Sequence, residues 1–323
     1  MRVVVTGGNG FIGRAVVRRL VARGDRVLAI VRDPGRADAL ADLGVELRQG
    51  DLSRTAAIVD ALRGADAAIH LAGDYRIGIT AAERPAMLEA NVGTTHRILD
   101  ARSVAELPRL VMISTVNVFG DTHGRIVDER YRRDLSEGFL SYYDETKFTA
   151  HRAVEERMAA GEPIVVVMPG VTYGPGDHAS TGEQLKGAYD GTLRFVGAPD
   201  TGISAAHVDD VAGGIVAAMD RGRLGETYVV AGENTRLGDA MAVAARLGGH
   251  RLPRLRLPAA AARLSTHVPA PLARAFGLPP DLGEVVRASL GVTYWASSAK
   301  AATELGYVPR DLASGLRAAY GDD

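Results

Sequence analysis

The chain has 323 residues, enough for about two folding units at roughly 150 residues each. Its 38 Lys and Arg against 39 Asp and Glu leave a formal net charge of -1, so there is no basic footprint for a nucleic acid or an anionic membrane. Cysteine is absent, which excludes disulfides, thiolate nucleophiles and thiolate-held metals together. Hydrophobic residues at 46% and charged residues at 24% are ordinary for a soluble globular protein. Met1-Arg2 runs straight into the strand-like Val3-Val4-Val5, leaving no room for a signal peptide. Apolar runs such as Ile164 to Met168 fall far short of the roughly 20 residues a membrane span needs. A cytoplasmic location is the expectation.

In chain order, near-continuous apolar runs predict strands at Arg2 to Thr6, Arg26 to Val31, Val45 to Arg48, Ala67 to Leu71, Leu110 to Ser114 and Ile164 to Met168. Such runs belong to strands covered on both faces. Helical periodicity lies between them, at Ile12 to Ala22, Ala56 to Leu62, Ala82 to Ala101 and Ser141 to Ala160. Strand, helix, strand at this spacing predicts βαβ units and an α/β fold of the Rossmann type, a doubly wound parallel sheet. After Pro169 the pattern loosens through Gly202, then gives one more strand at Thr227 to Ala231 and several short helices. The nucleotide-binding domain is therefore expected at 1–169, with contributions from about 206–232. The smaller, mainly C-terminal substrate-binding part falls to 170–205 and 233–323. The alanine-rich Pro258 to Arg263 reads as ordinary helix.

Thr6-Gly7-Gly8-Asn9-Gly10-Phe11-Ile12-Gly13 follows the first strand and opens the first helix. Gly7, Gly10 and Gly13 allow a tight turn, close approach of a pyrophosphate, and close packing of helix on strand. The helix start at Phe11 and Ile12 then offers free N–H groups and a partial positive charge to phosphates. Glycines also make plain turns, but the strand–turn–helix context is the one that supports a dinucleotide site. At the end of the second strand an acidic residue would accept the ribose hydroxyls of NAD. The sequence instead reads Val31-Arg32-Asp33-Pro34-Gly35-Arg36. Arg32, and less strongly Arg36, suits a 2′-phosphate, so NADP(H) is preferred and NAD(H) stays possible through Asp33. The alternative for both arginines is a solvated loop. Asp51-Leu52, after the third strand, is placed for the adenine edge, with a plain helix cap as the alternative.

Tyr143-Asp144-Glu145-Thr146-Lys147 opens a helical stretch, and a spacing of four puts Tyr143 and Lys147 on one face. An ammonium beside a phenol lowers the phenol pKa, which suits general acid–base work, and the same ammonium can hold a ribose. Ile113-Ser114-Thr115 closes the fifth strand, where ligands of such sheets sit. The Thr115 hydroxyl would hold a carbonyl oxygen beside Tyr143; a β-branched residue simply fitting a strand is the alternative. No group of His, Asp and Glu has metal-ligand spacing, and no G-x-S-x-G elbow is present.

With these segments in view, the chain resembles the extended short-chain dehydrogenase/reductase family over nearly its whole length. The resemblance rests on TGGNGFIG (6–13), DL (51–52), HLAG (70–73), NVGT (91–94), STVNVFG (114–120), YDETK (143–147), PGVTYGPGD (169–177), HVDDVA (207–212) and SSAKAATELGY (297–307). Within it, Val31 to Pro34, Ala72 to Arg76 and Ala231 to Asn234 look most like dihydroflavonol-reductase-like enzymes and the hopanoid-associated epimerase-like group. The resemblance implies Tyr143 as proton donor, Lys147 as its tuner and ribose anchor, and Thr115 as the carbonyl-polarising hydroxyl, with Ser114 before it. It implies that Asn91 orders the helix and water near Lys147. Leu71, Ala72 and Gly73 would line the cofactor, and Pro169 and Val171 would pack near the nicotinamide. Tyr75, Val116, Asn117 and His178 are the substrate-side candidates. His70, His207 and Asp209 are expected to be structural. A homodimer is implied as well, through the Ala82–Ala101 and Ser141–Ala160 helices, although those apolar faces could equally be covered within one chain.

The resemblance has one departure. Nucleotide-sugar members carry Arg-Pro-x-Asn before Tyr-Gly-Pro, whereas this chain reads Met168-Pro169-Gly170-Val171. The missing arginine and asparagine favour a less polar carbonyl substrate. The leading expectation is an NADPH-dependent reductase of a ketone or aldehyde. The alternatives are an NAD-retaining sugar epimerase or dehydratase, for which Arg194, Arg251, Arg254 and Arg256 leave phosphate-gripping groups open, and a non-catalytic nucleotide-sensing protein.

Overall fold

The computed structural model describes residues 1–253, 273 and 278–321, so Arg254, Arg256 and the Pro258–Arg263 run lie outside the described residues. Ten strands follow in chain order: β1 (Arg2–Thr6), β2 (Arg26–Val31), β3 (Glu46–Gln49), β4 (Ala67–His70), β5 (Leu110–Ile113), β6 (Ile164–Pro169), β7 (Val171–Tyr173), β8 (Gly202–His207), β9 (Glu226–Val230) and β10 (Glu233–Arg236). Seven of them form one sheet in the order β3-β2-β1-β4-β5-β6-β9, and every pairing in it is parallel. The chain winds outward from β1 in one direction and from β4 in the other, so the switch point lies between those two strands. Thr6 at the end of β1 pairs with Ile30 on one side and His70 on the other. A crevice beyond the carboxyl ends of strands at such a point is where ligands of open α/β sheets bind.

The helices are α1 (Phe11–Ala22), α2 (Asp38–Ala41), α3 (Thr55–Leu62), α4 (Arg84–Leu88), α5 (Thr94–Val104), α6 (Tyr142–Ala159), α7 (Ser180–Tyr189), α8 (Val208–Arg221), α9 (Leu237–Leu247), α10 (Leu282–Ser289), α11 (Ala299–Leu305) and α12 (Leu312–Tyr320). Successive strand residues point to opposite faces. Val3 and Val5 join Val16, Leu20 and Ile215 on one side, while Val4 joins Ile58, Leu62 and Ile98 on the other. Both faces are thus buried under helices, which is why the strands read as unbroken apolar runs. Ala301, Leu305 and Tyr307 also enter the first of these clusters, so the chain returns to the large sheet after leaving it.

A smaller sheet, β10-β8-β7, branches off after Pro169, with β8 antiparallel to β10 and parallel to β7. Its core is formed by Tyr173, Leu185, Ile203, Met241 and Leu316, closed by α7, α9 and α12. The helix expected at 82–101 runs instead as α4, a π-turn at Glu89–Gly93, and α5. Such wide turns are rare inside helices and gather at functional sites. This one contains Asn91.

Candidate active site

The turn between β1 and α1 is built so closely that side chains cannot enter it. A Cβ on Gly7, whose φ is +71°, would lie 2.6 Å from the Ala72 nitrogen, and one on Gly13 would lie 2.1 Å from the Gly7 carbonyl oxygen. Gly10 donates its N–H to that same carbonyl oxygen at 3.0 Å, and α1 begins with no side chain capping its first amides. The first amides of α1, Phe11 and Ile12 among them, therefore stay available to a phosphate. Leu71, Ala72 and Gly73 leave β4 directly against this turn, the Leu71 N–H donating to the Thr6 carbonyl at 3.1 Å. Thr6 also bonds His70 Nδ1 at 2.7 Å, and burial pushes the His70 imidazole pKa down to about 3, so it serves as a neutral strut.

The rim beyond β2 is positive. Arg32 and Arg36 are exposed, and no carboxylate pairs with either among the described residues. Asp33 accepts from the Gly35 N–H at 3.0 Å, which caps the short turn at Pro34–Arg36 rather than pairing with Arg32. Asn9, a residue that sequence reasoning passed over, reaches from the glycine turn to the Arg36 carbonyl at 2.7 Å and ties this rim to the phosphate turn. Its position inside the motif was the sole available hint. Asp51 accepts from the Ser53 N–H and hydroxyl at 2.9 and 2.6 Å, which holds its carboxyl below the usual range. It shapes the loop before α3 and is not that helix's cap, which is Arg54. The Leu52 carbonyl accepts from Arg97 at 2.6 Å. The glycine cradle and the uncapped helix start together fit the pyrophosphate of a dinucleotide.

At the carboxyl ends of β4 and β5 the three candidate catalytic groups gather. Ser141 caps α6 by accepting from the Asp144 N–H at 3.1 Å, and this starts the helix one residue before Tyr143. Tyr143 is buried, with its ring edge-on to Tyr75 at 4.7 Å between centroids. One turn on, the Lys147 ammonium donates to the Ile113 carbonyl at 3.0 Å. Thr115 donates to Asn117 Oδ1 at 3.1 Å and accepts from the Asn117 N–H at 3.2 Å, which turns the chain sharply after β5. The expected lowering of the phenol by the ammonium is absent: burial raises the Tyr143 pKa, and contact with the Thr115 hydroxyl opposes this in part. Desolvation also lowers the Lys147 pKa to about 8. Burial acts on both groups; for Tyr143 the nearby Tyr75, Asp144 and Asp74 add to it, whereas Lys147 has no facing anion among the described residues.

Other candidates land in less direct roles. Asn91 is buried and spends its amide on neighbours, accepting from the Asp74 N–H at 2.7 Å and donating to the Asp74 carbonyl and the Thr146 hydroxyl, each at 3.0 Å. It is a staple between the 71–76 loop and α6. The Ser114 hydroxyl is buried without a partner. Pro169 ends β6 within the core, and Val171 starts β7 facing a cavity. Val116, expected near substrate, is turned instead into the apolar cluster under α6, because it follows Thr115 into the 3-10 turn. His207 accepts from the Asp209 N–H at 3.2 Å and so caps α8.

A cavity of about 490 Å³ lies between the two sheets' loops, and the Tyr75 ring on its wall stands between it and Tyr143. Tyr75, Asn117 and His178 are on its wall, as are Ile77, Ile203, Leu237 and Val285. The one guanidinium among its described residues, Arg76, is already held by Asp74 at 2.6 Å and Glu83 at 2.9 Å. Arg194 and Arg251 are exposed and are not part of the wall.

The model of the NAD-dependent epimerase/dehydratase family matches residues 3–231. The chain belongs to that family. It is similar to a Synechocystis sp. protein named after dihydroflavonol 4-reductase, 31% identical over 318 residues that cover 94% of this chain and 88% of that one. It is likewise similar to the 4-hydroxy-2-methyl-3-oxo-4-farnesyl-3,4-dihydroquinoline-1-oxide ketoreductase of Stigmatella aurantiaca, 30% identical, with 96% and 92% of the two chains covered. Among solved structures, that of gox2253 superposes with a TM-score of 0.82 at 31% identity, covering 98% of this chain and 96% of the other. Membership in the epimerase/dehydratase family makes the protein an NAD(P)-dependent enzyme of the oxidoreductase type on the extended short-chain dehydrogenase/reductase plan. The motif segments of the family thus meet at one crevice here.

Proposed function

We propose that the protein is an NADPH-dependent reductase of a ketone or aldehyde whose body is largely apolar and uncharged. The observation that carries this is the cavity walled by Tyr75, the ring partner of Tyr143: its wall is mainly apolar, and the one guanidinium among its described residues is already paired with two carboxylates. A nucleotide sugar brings a diphosphate, and burying that charge without a free cation is costly. The reductase names of two relatives point the same way. When bound, the cofactor supplies a hydride. The protein's own work is to hold the carbonyl oxygen between the Thr115 hydroxyl and the Tyr143 phenol. Tyr143 then gives its proton to that oxygen, and the Lys147 ammonium one turn on stabilises the phenolate left behind. In oxidation the same groups act in reverse.

The unpaired Arg32 supports NADPH over NADH, because a guanidinium binds a 2′-phosphate and gains nothing from a 2′-hydroxyl acceptor site. Arg32→Ala should weaken NADPH by about 1.5 kcal/mol or more, roughly tenfold, while leaving NADH within about twofold. Titration of the purified protein with each nucleotide reads this directly. Equal losses would remove Arg32 as the phosphate reader. NAD that survives purification, with turnover of a nucleotide sugar, would replace the reductase reading with the epimerase or dehydratase one that the family name also covers.

A further inference from the structure

The first turn of α6, which carries Tyr143, is capped from the far end of the chain. Glu284 on α10 accepts from the Tyr142 N–H at 2.6 Å across 142 residues of sequence. Its side chain is 1% exposed, and its second carboxylate oxygen has no partner. A buried carboxylate with one oxygen unpaired is expensive, and an apolar residue of similar volume would pack there without that cost. The helix around it is built to aim it. Asp281 caps α10 by accepting from the Glu284 N–H at 3.0 Å, and the Asp281 N–H donates to the Gly78 carbonyl at 3.0 Å. The flank of α10 beside Glu284 presents Val285, Ala288 and Ser289 to the cavity, Ala288 one turn on from Glu284. Beside the contact, the Arg84 guanidinium lies over the Tyr142 ring, 5.0 Å from its centroid.

We propose that Glu284 is a positioning residue that couples the substrate-cavity wall to the catalytic helix. With α10 seated, the Tyr142 amide, one of the helix-start N–H groups with no intrahelical partner, is bonded and the next residue, Tyr143, is held at one depth. With α10 displaced, the cap and the cavity wall are lost together. Filling the cavity and ordering the proton donor are therefore one event. The coupling takes its purpose from the proposed reductase site, but the contact itself can be tested without a substrate.

Two variants separate positioning from packing. Glu284→Gln keeps a carbonyl oxygen for the Tyr142 amide, whereas Glu284→Leu fills the space and removes the acceptor. Hydrogen exchange of the NADPH complex should show the 141–147 segment exchanging at least tenfold faster in Glu284→Leu, with 150–159 unchanged and the Gln variant like wild type. In reduction of 4-phenylbutan-2-one, Glu284→Leu should lower kcat about tenfold with NADPH affinity intact, and Gln should restore it. Unchanged exchange at 141–147 in the Leu variant would overturn the proposal, as would faster exchange spread over all of α6. A wild type that leaves this ketone untouched while the exchange pattern appears would count against the reductase reading and leave the coupling standing.

Discussion

A phenol that donates a proton must hold one at working pH and must lose it readily once the carbonyl oxygen carries charge. Burial secures the first condition for Tyr143 and works against the second. The Thr115 hydroxyl offsets burial in part, and under the proposed mechanism the charge that meets the phenolate once it forms is the Lys147 ammonium, whose pKa is itself pushed down to about 8 by burial. Its charge is present below that value and disappears as pH rises through it. kcat/KM for reduction, which reports the free enzyme, should therefore be level near pH 7 and decline above about 8, by up to tenfold per unit if only the charged form works. A profile flat to pH 10 would mean that Lys147 contributes no charge to the step. Tyr143→Phe should lower turnover by about a hundredfold or more while NADPH affinity stays within about twofold. Full turnover in that variant would take the proton-donor role away from Tyr143.

At the scale of elements, the glycine turn allows a graded test. A Cβ at Gly13 meets the Gly7 backbone oxygen at 2.1 Å, so α1 must lift off the turn; at Gly10 the same oxygen is 3.2 Å away. Gly13→Ala should cost about 1–3 kcal/mol of stability as well as dinucleotide binding. Gly10→Ala should leave the melting temperature nearly unchanged and weaken the dinucleotide. Equal stability losses would show that the turn yields as a whole. This turn and the first six strands of the large sheet were legible in the sequence because all but the edge strand β3 are buried on both faces, and the boundaries differ by a residue at most. The small sheet was not legible. β7 has three residues, β8 is Gly-Ile-Ser-Ala-Ala-His, buried along its whole length, and β10 is the polar Glu-Asn-Thr-Arg, so none shows a two-residue alternation. That Tyr143, Lys147 and Thr115 gather at the ends of β4 and β5 was readable from local spacing and resemblance. The Glu284 contact and the Asn91 staple depend on partners distant in sequence, and no local pattern marks such pairs.

For the molecule as a whole, the open matter is self-association through α4–α5 and α6. The apolar faces of these helices are consumed internally: Ile98, Leu99, Ala101 and Val154 all enter the cluster beneath the sheet. What faces outward is polar, with His96, Asp100 and Ser103 on α5 and Glu145, Thr149, Arg152 and Glu156 on α6. Leu88 and Val104, 44% and 63% exposed, are the large apolar side chains left at the ends of the α4–α5 run. We propose a homodimer through this surface that is held mainly by charge, since bulk apolar area is lacking and charged pairs set register more than affinity. Charges at an interface rim are screened once the Debye length falls below about 10 Å, near 0.1 M salt. Sedimentation at about 20 μM should then show a dimer at about 50 mM salt that shifts toward monomer by about 500 mM. Monomer under both conditions would remove the dimer. A dimer insensitive to salt would place the contact on another, apolar surface and leave these two helix faces to solvent.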